Sequence, residues 1–257
     1  LGMLAIEVET CPEEGITLRE LERTLAAHPV KACMLSTTLS NPLGVTMPDD
    51  VRRRLVRMLD AHGVFLIEDD VYGDLRFDAT RPVPAQFLGE SDQILTCGSF
   101  SKTVAPGYRL GWVVTGPRID ELMRLKRSFS CSSGLLQQLT LAEFIAGGDY
   151  GRHLKALRPV LNTNAERMGA LVSRHFPSET RVSNPVGGSV LWLELPESVN
   201  AVELFDAAIG AGISIAPGPV FSPTGRYGNF IRLSYGHPWS DRIEGALRWL
   251  GEQTCKL

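Results

Sequence analysis

The sequence predicts an α/β fold: a mostly parallel sheet with helices on both faces, followed by a smaller α+β domain. Two observations predict it. In the first part of the chain, short apolar strands alternate with helix-like segments, a pattern that favours parallel strands joined by helices. In the second part, an unusually long helical segment precedes more closely spaced strands. We therefore predict a large domain over residues 1–157 and a small domain over residues 158–257.

The elements of the first part follow from local patterns. The sequence Thr-Leu-Arg-Glu at 17–20 has the form of a capping box and begins a helix. Pro48 suits the start of the next helix, because proline is tolerated in the first helical turn. We predict strands at 1–9, 32–37, 64–67, 94–97 and 110–114, and helices at 17–27 and 51–62.

The elements of the second part are predicted in the same way. Residues 150–176 form the long helix, in which Pro159 is expected to cause a kink. We predict further helices at 133–147, at 201–210 and from Ser240 onward, and strands at 188–195, 213–216 and 230–235.

Composition excludes several classes of partner. The formal net charge of −3 gives no basic surface of the kind that nucleic acids require. No apolar run approaches the ~18 residues of a membrane helix. The five cysteines are widely spaced and suggest neither a metal site nor a disulfide framework, which favours a reducing, cytoplasmic compartment. Because the chain begins at Leu1 without a Met, we expect it to be part of a longer protein.

A lysine among small hydroxylic residues is the most informative local feature. Lys102 lies in the sequence Ser-Phe-Ser-Lys-Thr, with Ser99 and Ser101 before it and Arg109 after a Pro-Gly turn. A lysine amine can bond covalently to a carbonyl compound, while serine hydroxyls and an arginine fork suit a phosphate. The alternative is a solvated loop lysine beside a strand.

Polar residues also follow two other predicted strands. Asp69 comes directly after an apolar strand, and Asn41 lies in an Asn-Pro-Leu-Gly sequence. In open α/β sheets, ligands bind beyond the carboxyl ends of the strands. The alternatives are an acidic turn for Asp69, an ordinary Asn-Pro turn for Asn41 and a core tyrosine for Tyr72.

The second part contributes two further candidates. Arg232 lies among apolar residues of a predicted strand, where an unpaired charge is costly, and its planar fork suits a carboxylate. Gly188 lies in a Gly-Gly pair that precedes another strand. The alternatives are an edge-strand arginine that faces water and a glycine pair required only by tight chain geometry.

Together these motifs resemble the fold-type-I aminotransferases that depend on pyridoxal 5′-phosphate. The likeness consists of Asn-Pro-x-Gly, Asp-x-x-Tyr, Ser-x-Ser-Lys, an arginine and a late arginine, in that order over most of the chain. It implies the fold-type-I fold with its N-terminal part missing. It also implies that Lys102 bonds covalently to the cofactor and moves the substrate proton.

The resemblance implies a role for each remaining candidate. Asp69 would hold the proton on the pyridine nitrogen, and Tyr72 and Asn41 would reach the phenolic oxygen of the cofactor. Ser99, Ser101 and Arg109 would bind the phosphate. Arg232 would bind the substrate carboxylate, with Asn41 and Gly188 beside the substrate.

Several motifs are similar to the aminotransferase-like domain of MocR-type regulators, in which a GntR-class winged helix precedes this domain. They include Glu-Asp-Asp-Val-Tyr at 68–72 and Ile-Ala-Pro-Gly at 215–218. The resemblance implies a homodimer that senses an amino acid or amino compound and binds DNA only through a winged helix absent from this chain. One alternative is a free-standing aminotransferase of the aminoadipate, kynurenine or aromatic type that acts on an α-amino acid. The other is a non-catalytic dimerisation scaffold.

Overall fold

The computed structural model describes residues 2–11, 14–89 and 91–256. These residues form eight strands and seven α-helices. In chain order they are α1 (Leu18–Ala27), β1 (Ala32–Leu35), α2 (Asp49–Ala61), β2 (Phe65–Asp69), β3 (Ile94–Ser99), β4 (Gly111–Val114), α3 (Ile119–Ser130), α4 (Leu135–Ala146), α5 (Asp149–His175), β5 (Arg181–Val182), β6 (Val190–Glu194), α6 (Ala201–Gly210), β7 (Ala216–Pro217), β8 (Phe230–Ser234) and α7 (Asp241–Thr254).

The described residues divide into two compact units. The first unit consists of residues 8–40 and 45–158, and the second unit consists of the residues up to 7, residues 41–44 and the residues from 159 onward. The sequence patterns did not indicate that residues 41–44 group with the later part of the chain. The assignment of residues 1–157 and 158–257 to two domains stays a prediction.

The first unit contains a four-stranded sheet in the order β1-β2-β3-β4. The first three strands are parallel and β4 is antiparallel to β3, so the expected mostly parallel sheet is confirmed. Apolar residues of α1 and α2 pack with those of β2 and β3 in one core, among them Leu21, Leu55, Leu66 and Ile94. Because β2 and β3 are parallel, Asp69 and Ser99 end them at the same edge of the sheet.

The second unit contains an antiparallel sheet in the order β5-β6-β8-β7. Arg232 lies on β8, opposite Trp192 of β6 on one side and Ala216 of β7 on the other. The alternative of an edge-strand arginine is therefore wrong, because β8 is an inner strand.

Some predicted elements differ from the observed ones. Residues 2–9 contain no strand, and Leu1 lies outside the described residues; an extended segment needs a neighbouring strand to become part of a sheet. The strand predicted at 213–216 overlaps the observed β7 only at Ala216, where the backbone pairs with β8. The two-residue strand β5 is not among the predicted elements. Pro159 lies inside α5 without ending it.

No helix within the described part of the chain is both long and apolar enough to cross a membrane.

Candidate functional site

Asp69 is the last residue of β2 and is half-buried. Its Oδ1 accepts a hydrogen bond from the backbone N–H of Val71 at 3.3 Å. The acidic turn, which was the alternative interpretation of Asp69, is therefore also present. Burial raises the pKa of the Asp69 carboxyl, and the Val71 hydrogen bond opposes part of that rise. A positively charged partner would stabilise the charged form of a carboxylate that is partly buried in this way.

The preceding residue, Glu68, fixes the strand ends from the other face of β2. Its carboxylate is 1% exposed and accepts hydrogen bonds from the hydroxyls of Thr37 and Thr96 and, at 3.0 Å, from the backbone N–H of Ala85. Thr37 follows β1 and Thr96 lies on β3. Glu68 thus joins three neighbouring strand regions. The local sequence contains no signal for this role, because the partners of Glu68 are distant in the sequence.

A second acidic group lies just beyond Asp69. Arg81 forms ion pairs with both Asp70 and Asp74. Burial raises the pKa of Asp70 to about 6; Arg81 opposes this rise, and the neighbouring carboxylates of Glu68, Asp74 and Asp69 add to it. The arginine therefore holds together the segment that carries both Asp69 and Tyr72.

The lysine loop begins at Ser99, the end of β3. The Ser99 hydroxyl donates to the hydroxyl of Ser101 at 2.9 Å, and the backbone N–H of Ser101 donates to Ser99 Oγ at 3.1 Å. Lys102 is exposed, and its Nζ lies 5.9 Å from the ring centre of Tyr72, which is buried. The fold thus brings Lys102 close to Tyr72 and Ser99 close to Ser101.

Arg109 has an unusual backbone. Its φ of 52° and ψ of 37° lie in the left-handed region, which costs a non-glycine residue about 1–2 kcal/mol. The side chain is exposed and has no hydrogen-bond or ion-pair partner among residues 2–11, 14–89 and 91–256. The predicted role of Arg109 in binding a phosphate stays a prediction, for which this exposed cation is available.

Arg109→Gly is expected to separate backbone strain from ligand binding. Glycine relieves the left-handed strain but gives the unfolded chain more freedom, so we expect the unfolding free energy to rise by less than about 1 kcal/mol. Loss of the cation should weaken pyridoxal phosphate binding by about tenfold. Urea unfolding and a titration with the cofactor measure the two effects.

Arg109→Ala is the matched control, because alanine removes the cation and keeps the strain. It should bind the cofactor as weakly as Arg109→Gly and gain no stability. Wild-type affinity in both variants would contradict a phosphate-binding role for Arg109.

In the second unit, Arg232 and Asn41 lie in contact. Arg232 Nη1 donates to Asn41 Oδ1 at 2.9 Å, and the guanidinium carbon lies 5.1 Å from the ring centre of Phe221. Arg232 Nε is buried and has no hydrogen-bond partner in the part of the chain that the structure describes. Both contacts restrict the orientation of the guanidinium group.

Gly188 is buried and has a φ of 81°, a conformation that favours glycine. It precedes β6, and the preceding carbonyl of Gly187 accepts a hydrogen bond from the Tyr235 hydroxyl at 2.8 Å. The positive φ thus explains the glycine at position 188, and a place beside the substrate stays a prediction for Gly188.

The predicted residues fall into two groups. Asn41, Gly188 and Arg232 belong to the second unit. The others belong to the first unit: Asp69, Tyr72, Ser99, Ser101, Lys102 and Arg109. Each group contains the kinds of side chain that one part of the expected chemistry needs, carboxylate binding in the second unit and cofactor binding in the first.

Comparison with known proteins identifies the family. The sequence profile described as "Aminotransferase class I and II" matches residues 3–247. The chain belongs to this family. Membership confirms the resemblance drawn from the motifs, and the fold is that of the fold-type-I aminotransferases.

Individual members of the family support the same conclusion. The chain is 39% identical over 252 residues to the uncharacterized HTH-type transcriptional regulator YdcR of Escherichia coli, covering 98% of this chain and 54% of YdcR. It is 31% identical to the 2-aminoadipate transaminase of Thermus thermophilus, covering 93% of this chain and 61% of that enzyme. The chain therefore spans little more than half the length of these relatives.

A solved structure shows the fold directly. The α-aminoadipate aminotransferase LysN of Thermus thermophilus, complexed with N-(5′-phosphopyridoxyl)-L-leucine, has a TM-score of 0.90 and 29% identity to this chain. The match covers 97% of this chain and 64% of LysN. The class I and II aminotransferase chain described here therefore shares the architecture of a protein seen with a pyridoxyl ligand.

Proposed function

We propose that this aminotransferase-family chain binds pyridoxal 5′-phosphate and forms the part of a GntR/MocR-type transcriptional regulator that senses an amino compound or the cofactor itself. The observation that carries the cofactor assignment is Lys102, exposed in the loop after β3 and next to the Ser99–Ser101 pair. The regulator assignment is supported by the similarity to YdcR, a protein described as a transcriptional regulator.

The residues of the first unit fit this cofactor. Arg109 offers an unpaired cation and the serine pair offers hydroxyls, which together suit a phosphate. Asp69 offers a half-buried carboxylate that gains from a cationic partner such as a protonated pyridine nitrogen. The exposed Lys102 amine offers the nucleophile for the aldehyde carbon.

When bound, pyridoxal phosphate supplies an electron sink for carbanion chemistry. The residues of the chain would orient it and control protons. Asp69 would hold the proton on the pyridine nitrogen, and Tyr72 would donate to the phenolic oxygen. Lys102 Nζ would remove the proton from the substrate α-carbon as a general base. Arg232 would fix the substrate through its α-carboxylate.

A free-standing aminotransferase that acts on an α-amino acid is the second candidate. It is favoured by the Arg232–Asn41 pair, which is prepared to receive a carboxylate, and by the similarity to the 2-aminoadipate transaminase. In both proposals the ligand is an amino acid or amino compound, and the protein is a cytoplasmic homodimer. In the regulator, a winged helix outside this chain would bind DNA.

Borohydride trapping tests the cofactor assignment. The full-length protein is incubated with pyridoxal phosphate, reduced with borohydride and mapped by peptide mass spectrometry. We expect a single pyridoxyl adduct on Lys102, because its amine is exposed beside the proposed phosphate ligands. An adduct on other lysines only, or none, would overturn the proposed function.

A further inference from the structure

The first turn of α5 contacts the loop that carries Lys102. A ring nitrogen of His153, Nε2, lies 2.8 Å from the backbone oxygen of Thr103, the residue after Lys102. The rings of Tyr150 and Phe100 pack edge to face, with 6.0 Å between ring centres. Phe100 and Thr103 lie on either side of Lys102, so α5 holds this loop at two points.

The same turn also contacts the segment that carries Asp69. The Tyr150 hydroxyl donates to Asp74 Oδ2 at 2.8 Å. About two turns further along α5, Arg158 Nε donates to the backbone oxygen of Asp74 at 2.9 Å. Asp74 lies two residues after Tyr72 and is also paired with Arg81. Tyr150 therefore bridges the two segments on which the proposed cofactor chemistry depends.

The hydrogen-bond partners of His153 and Tyr150 determine where each side chain carries a proton. A carbonyl oxygen only accepts hydrogen bonds, so His153 carries a proton on Nε2. Burial raises the pKa of Tyr150 to about 12, and the neighbouring carboxylate of Asp74 adds to this rise. Tyr150 thus stays protonated and remains a donor at neutral pH.

We propose that Tyr150 and His153 are positioning residues that hold Lys102 in place relative to Asp69. This inference rests on the proposed function, in which Lys102 and Asp69 act on one cofactor. Neither residue acts on the cofactor itself. Their effect passes through the backbone of Thr103, the ring of Phe100 and the carboxylate of Asp74.

The test uses two substitutions in the full-length protein. Tyr150→Phe removes the hydroxyl and keeps the ring contact, and His153→Leu removes the donor to Thr103. In the cofactor-free protein we expect Lys102 to react about fivefold faster with limiting acetic anhydride, the change expected when one hydrogen bond is lost. The rate is measured by mass spectrometry against Lys31, which is exposed elsewhere.

The loaded protein gives a second readout. We expect each substitution to weaken pyridoxal phosphate retention about fivefold and to shift the pH midpoint of its visible absorbance. His153→Gln keeps a donor and should restore both values. His28→Leu, at an exposed histidine outside this cluster, is the matched control and should change neither.

The outcomes separate this inference from the proposed function. Wild-type reactivity of Lys102 in both Tyr150→Phe and His153→Leu would overturn the positioning role. A failure of His153→Gln to restore the pH midpoint would also overturn it, because a general packing defect would then explain the change. If the wild-type protein takes no cofactor at Lys102, the proposed function fails, and the acetylation rates still decide whether Tyr150 and His153 hold the loop.

Discussion

Lys102→Ala is expected to abolish covalent attachment of pyridoxal phosphate to the protein. Alanine removes the amine that would bond to the aldehyde carbon, and the Ser99–Ser101 pair and Arg109 remain to bind the phosphate non-covalently. We expect the visible absorbance of the bound cofactor to change to that of the free aldehyde. Any transamination should fall by on the order of 10³-fold or more, as for loss of a nucleophile that is also the base.

Lys31→Ala is the control for this substitution, because Lys31 is also exposed and lies just before β1. Its spectrum and its borohydride-trapped peptide should match those of the wild-type protein. A Lys102→Ala protein that still shows the wild-type absorbance band would reject Lys102 as the attachment point.

Asp69→Asn is expected to leave the cofactor attached and to slow proton removal from an amino acid by about 10²–10³-fold. Asparagine keeps the size of the side chain and can still accept the hydrogen bond from Val71. It lacks the negative charge that would keep the pyridine nitrogen protonated. Exchange of the α-proton of an added amino acid with solvent deuterium, followed by NMR, measures this step without requiring complete turnover.

Asp206→Asn removes a carboxylate from an exposed position on α6 and serves as the matched control. It should exchange the α-proton at the wild-type rate. Undiminished exchange in Asp69→Asn would remove Asp69 from the role of nitrogen partner.

Much of the fold could be predicted from the sequence because each unit has a clear local pattern. The buried strands β2 and β3 form short apolar runs, and α1 and α2 have apolar residues at helical spacing. Elements with weaker patterns were harder to predict. β5 is only two residues long and exists because it pairs with β6, and the residues at 2–9 are apolar enough to suggest a strand that they do not form.

The candidate residues could be found because they lie in short motifs at strand ends. Asp69 is the last residue of β2 and Lys102 follows β3 by three residues, so the local sequence contains the information. The residues that support them could not be found in this way. His153 contacts Thr103 from a helix 50 residues away, and Glu68 contacts Thr37 across 31 residues. One sequence contains no signal for such distant pairs, because only folding brings them together.

The buried Nε of Arg232 indicates which compounds should be screened as ligands. In the described part of the chain this donor has no acceptor, and a buried donor without an acceptor costs about 1–3 kcal/mol. A ligand with a carboxylate can accept hydrogen bonds from the charged, pre-oriented guanidinium group and so offset this cost. An amine that lacks the carboxylate cannot offset it. A screening collection for this protein should therefore consist of amino carboxylates, with the corresponding amines, such as agmatine beside arginine, included as paired negatives.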